Sequence, residues 1–500
     1  QLTMNDGSIV SQSRFSAGNG GLVTVNAEES ITTSGTGIFP FAMSTSTDGA
    51  APFCPGTCGN AGSINVMAPI VGLNGVGLNS TTTGQGNAGN ILAKVGALTV
   101  MNGAQISASA ENPGVVTGSG GTVTIQGLAS PAQSVLIDGS GSGIFTTTEG
   151  TGAGGNIRID ASQFALSNQA TLSAQTAGSG NAGSITVLAS SFSMSEGARI
   201  SAGTGEGTTG HGGGISVQAD EVLLTDNADI AANTFGSGDA GAIAVTAQDR
   251  ISLTDSHMNS STFAFTGQPG GGQGGQITLH APTIDISNGQ IVSLSVSSGN
   301  AGHVLLETAH LSLDASELFA SAFSSGRGGD IMVRGLTDAG SSADQVAFMG
   351  ASQVLSETSG TGNGGTIAIQ TAQLMMQDFS LVSTSSQGEG TVGHAGDITV
   401  NAGQSLGVTS GSLIESGSIA LSEGNAGTIT VTAPAITLDA GTISTTTEFA
   451  GNAGTVMVKT NSLTVQNGGQ IASSSVIVED IPAGSAGNIT IQGLASPAQS

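Results

Sequence analysis

Apolar residues recur along this chain in groups of three short beats. After Ile185 they fall at Val187, then at Phe192 and Met194, then at Ile200. The same offsets of 7, 9 and about 15 residues give Phe164, Leu166 and Leu172 after Ile157, and Val222, Leu224 and Ile230 after Ile215. They return as Leu98, Val100 and Ile106 after Ile91, and as Leu463, Val465 and Ile471 after Val456. Each beat alternates apolar with polar residues, the period-two signature of a strand with one buried face, and no stretch carries a helical period.

A glycine-rich phrase precedes each group. Gly180-Asn181-Ala182-Gly183 has close copies beginning at Gly59, Gly86, Gly238, Gly299, Gly424 and Gly451. Taking the first aliphatic residue after each such cluster gives 16 marks from Val23 to Ile489, separated by 27 to 41 residues with a mean of about 31. That is the period of solenoids and propellers, and a floor with upward scatter describes a fixed unit plus a loop of variable length. Between the second and third beats lie Asn102-Gly103, Glu196-Gly197, Asn288-Gly289 and Asn467-Gly468, residues that tolerate positive φ in turns.

Asn-Gly between alternating runs is also a hairpin signal, so an antiparallel meander competes. A meander has no need of the same aliphatic offsets in every unit, whereas stacked coils do. A propeller blade takes four strands in about 40 to 50 residues, more than a 27-residue unit with three beats supplies. The expected fold is all-β: a right-handed parallel β-helix of about 16 coils of 27–36 residues with three short strands each, continuous over residues 1–500. Its inward columns are Ile157, Ile185, Ile215 and Ile243, and Phe164, Phe192 and Val222.

Three segments delay the second beat at one position of the coil: residues 127–134, 335–345 and 493–500. A longer insertion, 33–60, contains Phe39-Pro40-Phe41 and the only two cysteines, Cys54 and Cys58. A small disulfide-closed loop is the preferred reading of that pair, against free thiols or a metal site. Leu2 to Ser11 reads as the middle of a repeat, and Thr490 to Ser500 copies Thr124 to Ser134, so both ends are expected to be cut inside a coil.

Charged residues are only 8% of the chain, against about 25% in ordinary domains. Stacking explains this, because equivalent side chains about 4.8 Å apart would place equal charges in columns. Ser, Thr, Asn and Gln are expected to fill the exposed positions instead, with Asn181 and its equivalents forming a ladder. The net charge of −26, from 34 acidic and 8 basic residues, makes nucleic acid and anionic membrane surfaces poor partners. No stretch reaches the 18 or so apolar residues of a membrane-spanning helix.

Candidate chemistry is sparse. The six histidines, His211, His257, His280, His303, His310 and His394, are spread over many coils, with His303 and His394 at the glycine turn. Asp220 with Glu221, or Asp226 with Asp229, could serve as a carboxylate pair in a groove, as sugar-cleaving β-helices use. Such enzymes also grip sugars with aromatic and basic side chains, and this chain has no Trp or Tyr. Gly238-Asp239-Ala240-Gly241 resembles one turn of a calcium-binding nonapeptide roll, but Asn replaces the Asp in most copies and the period differs. No catalytic, cofactor-binding or metal-binding residue is assigned.

The recurring Gly-Asn-Ala-Gly-x-Ile-x-Val-x-Ala phrase, followed by Leu-x-Leu-x-x-Gly-x-Ile, resembles the passenger repeats of filamentous-haemagglutinin-type exoproteins of two-partner secretion. The resemblance covers nearly the whole chain. It implies a bacterial protein exported through an outer-membrane β-barrel transporter, folding at the cell surface or after release, and acting as an adhesive filament on a host or neighbouring-cell glycan or protein. The N-terminal secretion domain that defines the family is absent from this sequence. A carbohydrate-active β-helix enzyme and a passive stalk are the alternative expectations.

Overall fold

The computed structural model describes residues 1–14, 17–35, 41–48, 59–111, 118–129, 131–263, 271–388, 393–419, 422–448, 450–476 and 484–494. Strands, turns and bends make up these residues, and no helix occurs among them. Every described strand ladder is parallel and joins a strand to its equivalent about one repeat away, as Ile157–Ser167 joins Ile185–Met194 and that strand joins Ile215–Leu224. The chain is therefore an all-β parallel solenoid, and the meander is excluded. Asn102 and Gly103, with φ of 55° and 80°, turn the chain from one sheet of the coil into another instead of closing a hairpin.

Contacts divide the chain into two units, residues 1–246 with 264–269, and residues 247–263 with 270–500. Each is built the same way. In the first, Ile157, Ile185 and Ile215 are in register, as are Phe164, Phe192 and Val222, and all six are at most 1% exposed. The Phe164 and Phe192 rings are 5.6 Å apart and tilted by 35°, within the range favoured by aromatic pairs. In the second unit Ile367, Ile398 and Ile429 form the corresponding column.

Several coils differ from the expected three strands. Ile64–Asn74, Ile91–Met101, Ile157–Ser167 and Ile367–Met376 each run through the first two beats as one strand. Alternation explains how they still bend. In Ile215–Leu224 the inward Ala219 is followed by two outward residues, Asp220 and Glu221, before Val222 turns inward again. Alanine leaves room inside the corner, and the doubled outward position changes direction without ending the strand.

The glycine phrase owes its composition to close stacking. A Cβ placed on Gly183 would overlap the Gly155 carbonyl oxygen, and one on Gly213 would overlap that of Gly183. Only hydrogen fits at these positions, at φ values any residue could adopt.

The polar interior corrects the expectation that Ser and Thr lie outside. Thr146, Ser293, Thr384 and Thr445 are 0% exposed. Thr146 Oγ1 donates to the Gly155 carbonyl at 2.7 Å, Ser293 Oγ to that of Gly275 at 2.7 Å, and Thr384 Oγ1 to that of Gly396 at 2.7 Å. These hydroxyls tie the third strand to the glycine turn and satisfy carbonyls that water does not reach.

Within residues 33–60, Phe41–Ser44 pairs in parallel with Gly77–Asn79, so it is the third strand of its coil and not a protruding loop. The Phe39-Pro40 part of that segment lies outside the described residues. The 127–134 and 335–345 segments return to strand at Ala132 and Ala343. In the latter, Gly335 N–H donates to Ser341 O at 3.0 Å and closes a tight loop. Residues 495–500 lie outside the described residues.

Candidate functional site

Cys54 and Cys58 lie outside the described residues, so the site is built from what the coils present to solvent. The turn asparagines form the expected ladder in a side-chain-to-backbone form. Asn19 Oδ1 accepts the Asn60 N–H at 2.8 Å, Asn60 Oδ1 that of Asn87 at 2.8 Å, and Asn87 Oδ1 that of Ser119 at 2.9 Å. In the second unit Asn363, His394 and Asn425 accept in turn from His394, Asn425 and Asn452 at 3.0, 2.9 and 2.8 Å.

Two histidines, His211 and His394, take part in this ladder, and His303 takes part in a parallel one three residues further on that Asp330 continues. Nδ1 of His394, His211 and His303 accepts the N–H of Asn425, Asp239 and Asp330 respectively, at 2.9, 3.0 and 3.0 Å. An accepting Nδ1 puts the ring proton on Nε2. Histidine thus substitutes for asparagine as an acceptor at the same reach, a role the sequence disclosed only as proximity to the turn.

Several of the basic residues stack on carboxylates of adjacent coils. Arg199 and Asp229 are in register on adjacent coils with Nε to Oδ2 at 3.2 Å. His280, Glu307 and Arg334 occupy successive coils. Glu307 accepts from Arg334 at 2.6 Å and lies 3.0 Å from His280 Nδ1. Burial works to raise the Glu307 carboxyl, but the bonds and charges of Arg334 and His280 outweigh it and hold it below the usual range.

The candidate carboxylate pairs do not assemble into a groove. Asp220 and Glu221 are the consecutive outward residues of a coil corner. Asp226 sits in the next turn at φ 55°, while Asp229 belongs to the Arg199 ion pair. His310 Nε2 is 4.0 Å from Asp344. No group of three or more His, Cys, Asp or Glu among the described residues could hold a metal ion.

A different carboxylate stands out. Burial pushes Glu357 up to about 7, with hydrogen bonds from Ser383 and Gln387 opposing the shift and the Glu415 charge adding to it. Burial likewise raises Glu415, against a hydrogen bond from Thr446 and together with the Glu448 charge. Glu415 lies in the strand Leu413–Ile419 and Glu357 two residues past the strand Gln353–Leu355, where the sequence shows only isolated glutamates.

Recesses are shallow. One of about 240 Å³ opens over Gly72, between Thr32 and Thr99. Another of about 190 Å³ lies over Gly407, beside Met375 and Thr437. Both form where a glycine interrupts an outward column, and both fall below the roughly 300–1,000 Å³ of small-molecule sites.

No family model, curated protein or solved structure matches this chain.

Proposed function

We propose that the chain is a structural and adhesive filament segment of a large secreted or cell-surface bacterial exoprotein of the filamentous-haemagglutinin type. The observation that carries this reading is the register itself, with each coil laid over the last through glycine contacts that admit no side chain. Such stacking adds units by nearest-neighbour contacts and lets coils form in order as a chain leaves a pore. Few charges and neutral polar columns suit export in an unfolded state through an outer-membrane β-barrel transporter, with host or neighbouring-cell surfaces as the target.

Beads coated with the protein and passed over epithelial or bacterial cell layers test the reading. Retention above that of beads coated with an unrelated acidic protein is expected. Retention equal to that control would reduce the chain to a spacer, and release of reducing ends from a glycan panel would favour an enzyme.

A further inference from the structure

In one part of the second unit apolar residues gather at the outward positions of successive coils. Ile291, Leu318 and Val354 are 0% exposed and point into the coils. Their neighbours Val292, Phe319 and Leu355, in register on three successive coils, therefore point the other way. Four positions beyond the first two, Val296 and Phe323 also follow one another on adjacent coils, next to the paired Ser295 and Ala322. Val296 and Phe323 are 37% and 51% exposed, whereas Val292 and Leu355 keep only 9% and 8%. The apolar strip thus grades from an open lip to a nearly covered floor.

Glu357 ends this strip, two positions beyond Leu355. Its carboxylate takes hydrogen bonds from Ser383 Oγ at 3.3 Å and Gln387 Nε2 at 3.1 Å, both neutral donors. The charge that acts on it is the Glu415 carboxylate, not a cation. An anion half-withdrawn from water beside apolar side chains is complementary to a partner that brings both apolar groups and a cation. The rest of the chain narrows the choice. With 34 acidic residues against 8 basic ones, a second copy or an anionic membrane would bring like charge to the strip.

We propose that this strip docks an apolar–basic polypeptide segment, with Val296 and Phe323 receiving its apolar side chains and Glu357 receiving an arginine or lysine. The inference is independent of the filament reading, since a pure spacer could carry the same strip.

Fluorescence anisotropy of a labelled octapeptide alternating Leu with Arg, titrated with the full chain at pH 8, tests it. Saturable binding is expected, at least tenfold tighter than for peptides alternating Leu with Glu or Gly with Arg. Phe323→Ser and Val296→Ser should each weaken it about tenfold. Glu357→Gln should weaken the Leu-Arg peptide about fivefold while leaving a Leu-Gln peptide unchanged, with melting curves confirming that each variant is folded. Equal binding of the Gly-Arg peptide, indifference to both apolar substitutions, or no binding at all would overturn the proposal. So would sedimentation showing a dimer that Phe323→Ser abolishes, which would assign the strip to a second copy.

Discussion

Gly183 lies over Gly155 so closely that a Cβ on the first would overlap the carbonyl oxygen of the second. Backbone faces backbone there, and the distance between coils is set by contact between peptide groups. The glycine phrase is therefore the spacer of the solenoid, and its tolerance to substitution follows from geometry.

Gly183→Ala is expected to destabilise the first unit by about 1–3 kcal/mol, the range for overpacking a close contact. Gly214 is the control, because its Cβ would meet nothing nearer than Ala242 O at 3.9 Å. Gly214→Ala should leave stability unchanged or raise it by up to about 1 kcal/mol through the unfolded chain. Urea midpoints followed by circular dichroism distinguish the two.

Ile215 is 1% exposed and lies in register with Ile185. Ile215→Asp would bury a carboxylate without a partner and should cost about 3–5 kcal/mol, whereas Ile215→Val should cost about 0.5–1.5 kcal/mol. Equal denaturation midpoints for Ile215→Asp and the parent would remove that column from the core.

The His394 ring accepts the Asn425 N–H on an exposed turn. His394→Ala should cost about 0.5–1.5 kcal/mol, the net value of one hydrogen bond, and His394→Asn should restore most of it by reinstating the acceptor found at Asn363 and Asn425. Hydrogen exchange at the Asn425 amide reads this directly, with faster exchange in His394→Ala and near-parent exchange in His394→Asn.

Stability should also depend on pH through Glu357. Its folded value of about 7 lies above the roughly 4.3 of an unfolded glutamate, so the folded state binds the proton more tightly. The resulting stabilisation is complete below about pH 4.3 and is lost as pH rises through 7, on the order of 3 kcal/mol in all. Burial raises Glu111 and Glu415 in the same direction. Hydrogen bonds from Asn467 and Gln466 lower Asp439 and give it the opposite slope. Glu357→Gln should flatten the change in melting midpoint between pH 5 and pH 8, and an unchanged slope would contradict the assignment.

Much of the coil could be read from the chain because aliphatic residues have one use here. Ile185, Phe192 and Ile200 can only gain by pointing at the shared interior, and their spacing reports it. Ser and Thr are ambiguous. Thr146 and Ser293 look like surface residues until the fold brings a glycine carbonyl to each hydroxyl. His211, His303 and His394 present the same difficulty, since their role depends on a backbone N–H some 27 to 31 residues away. The strip around Phe323 was hidden for another reason. Val292, Phe319 and Leu355 belong to different coils, as do Val296 and Phe323, and only register sets each group side by side.

Register is the central claim, and spin labels test it most directly. In a Cys54→Ser, Cys58→Ser background, labels at Thr186 and Ser216, 30 residues apart yet paired across adjacent coils, should show strong dipolar broadening from a separation near the strand spacing of about 4.8 Å. Labels at Thr186 and Glu206, closer in sequence but not paired, should show much less. Broadening confined to the second pair, or absent from both, would contradict the parallel stack.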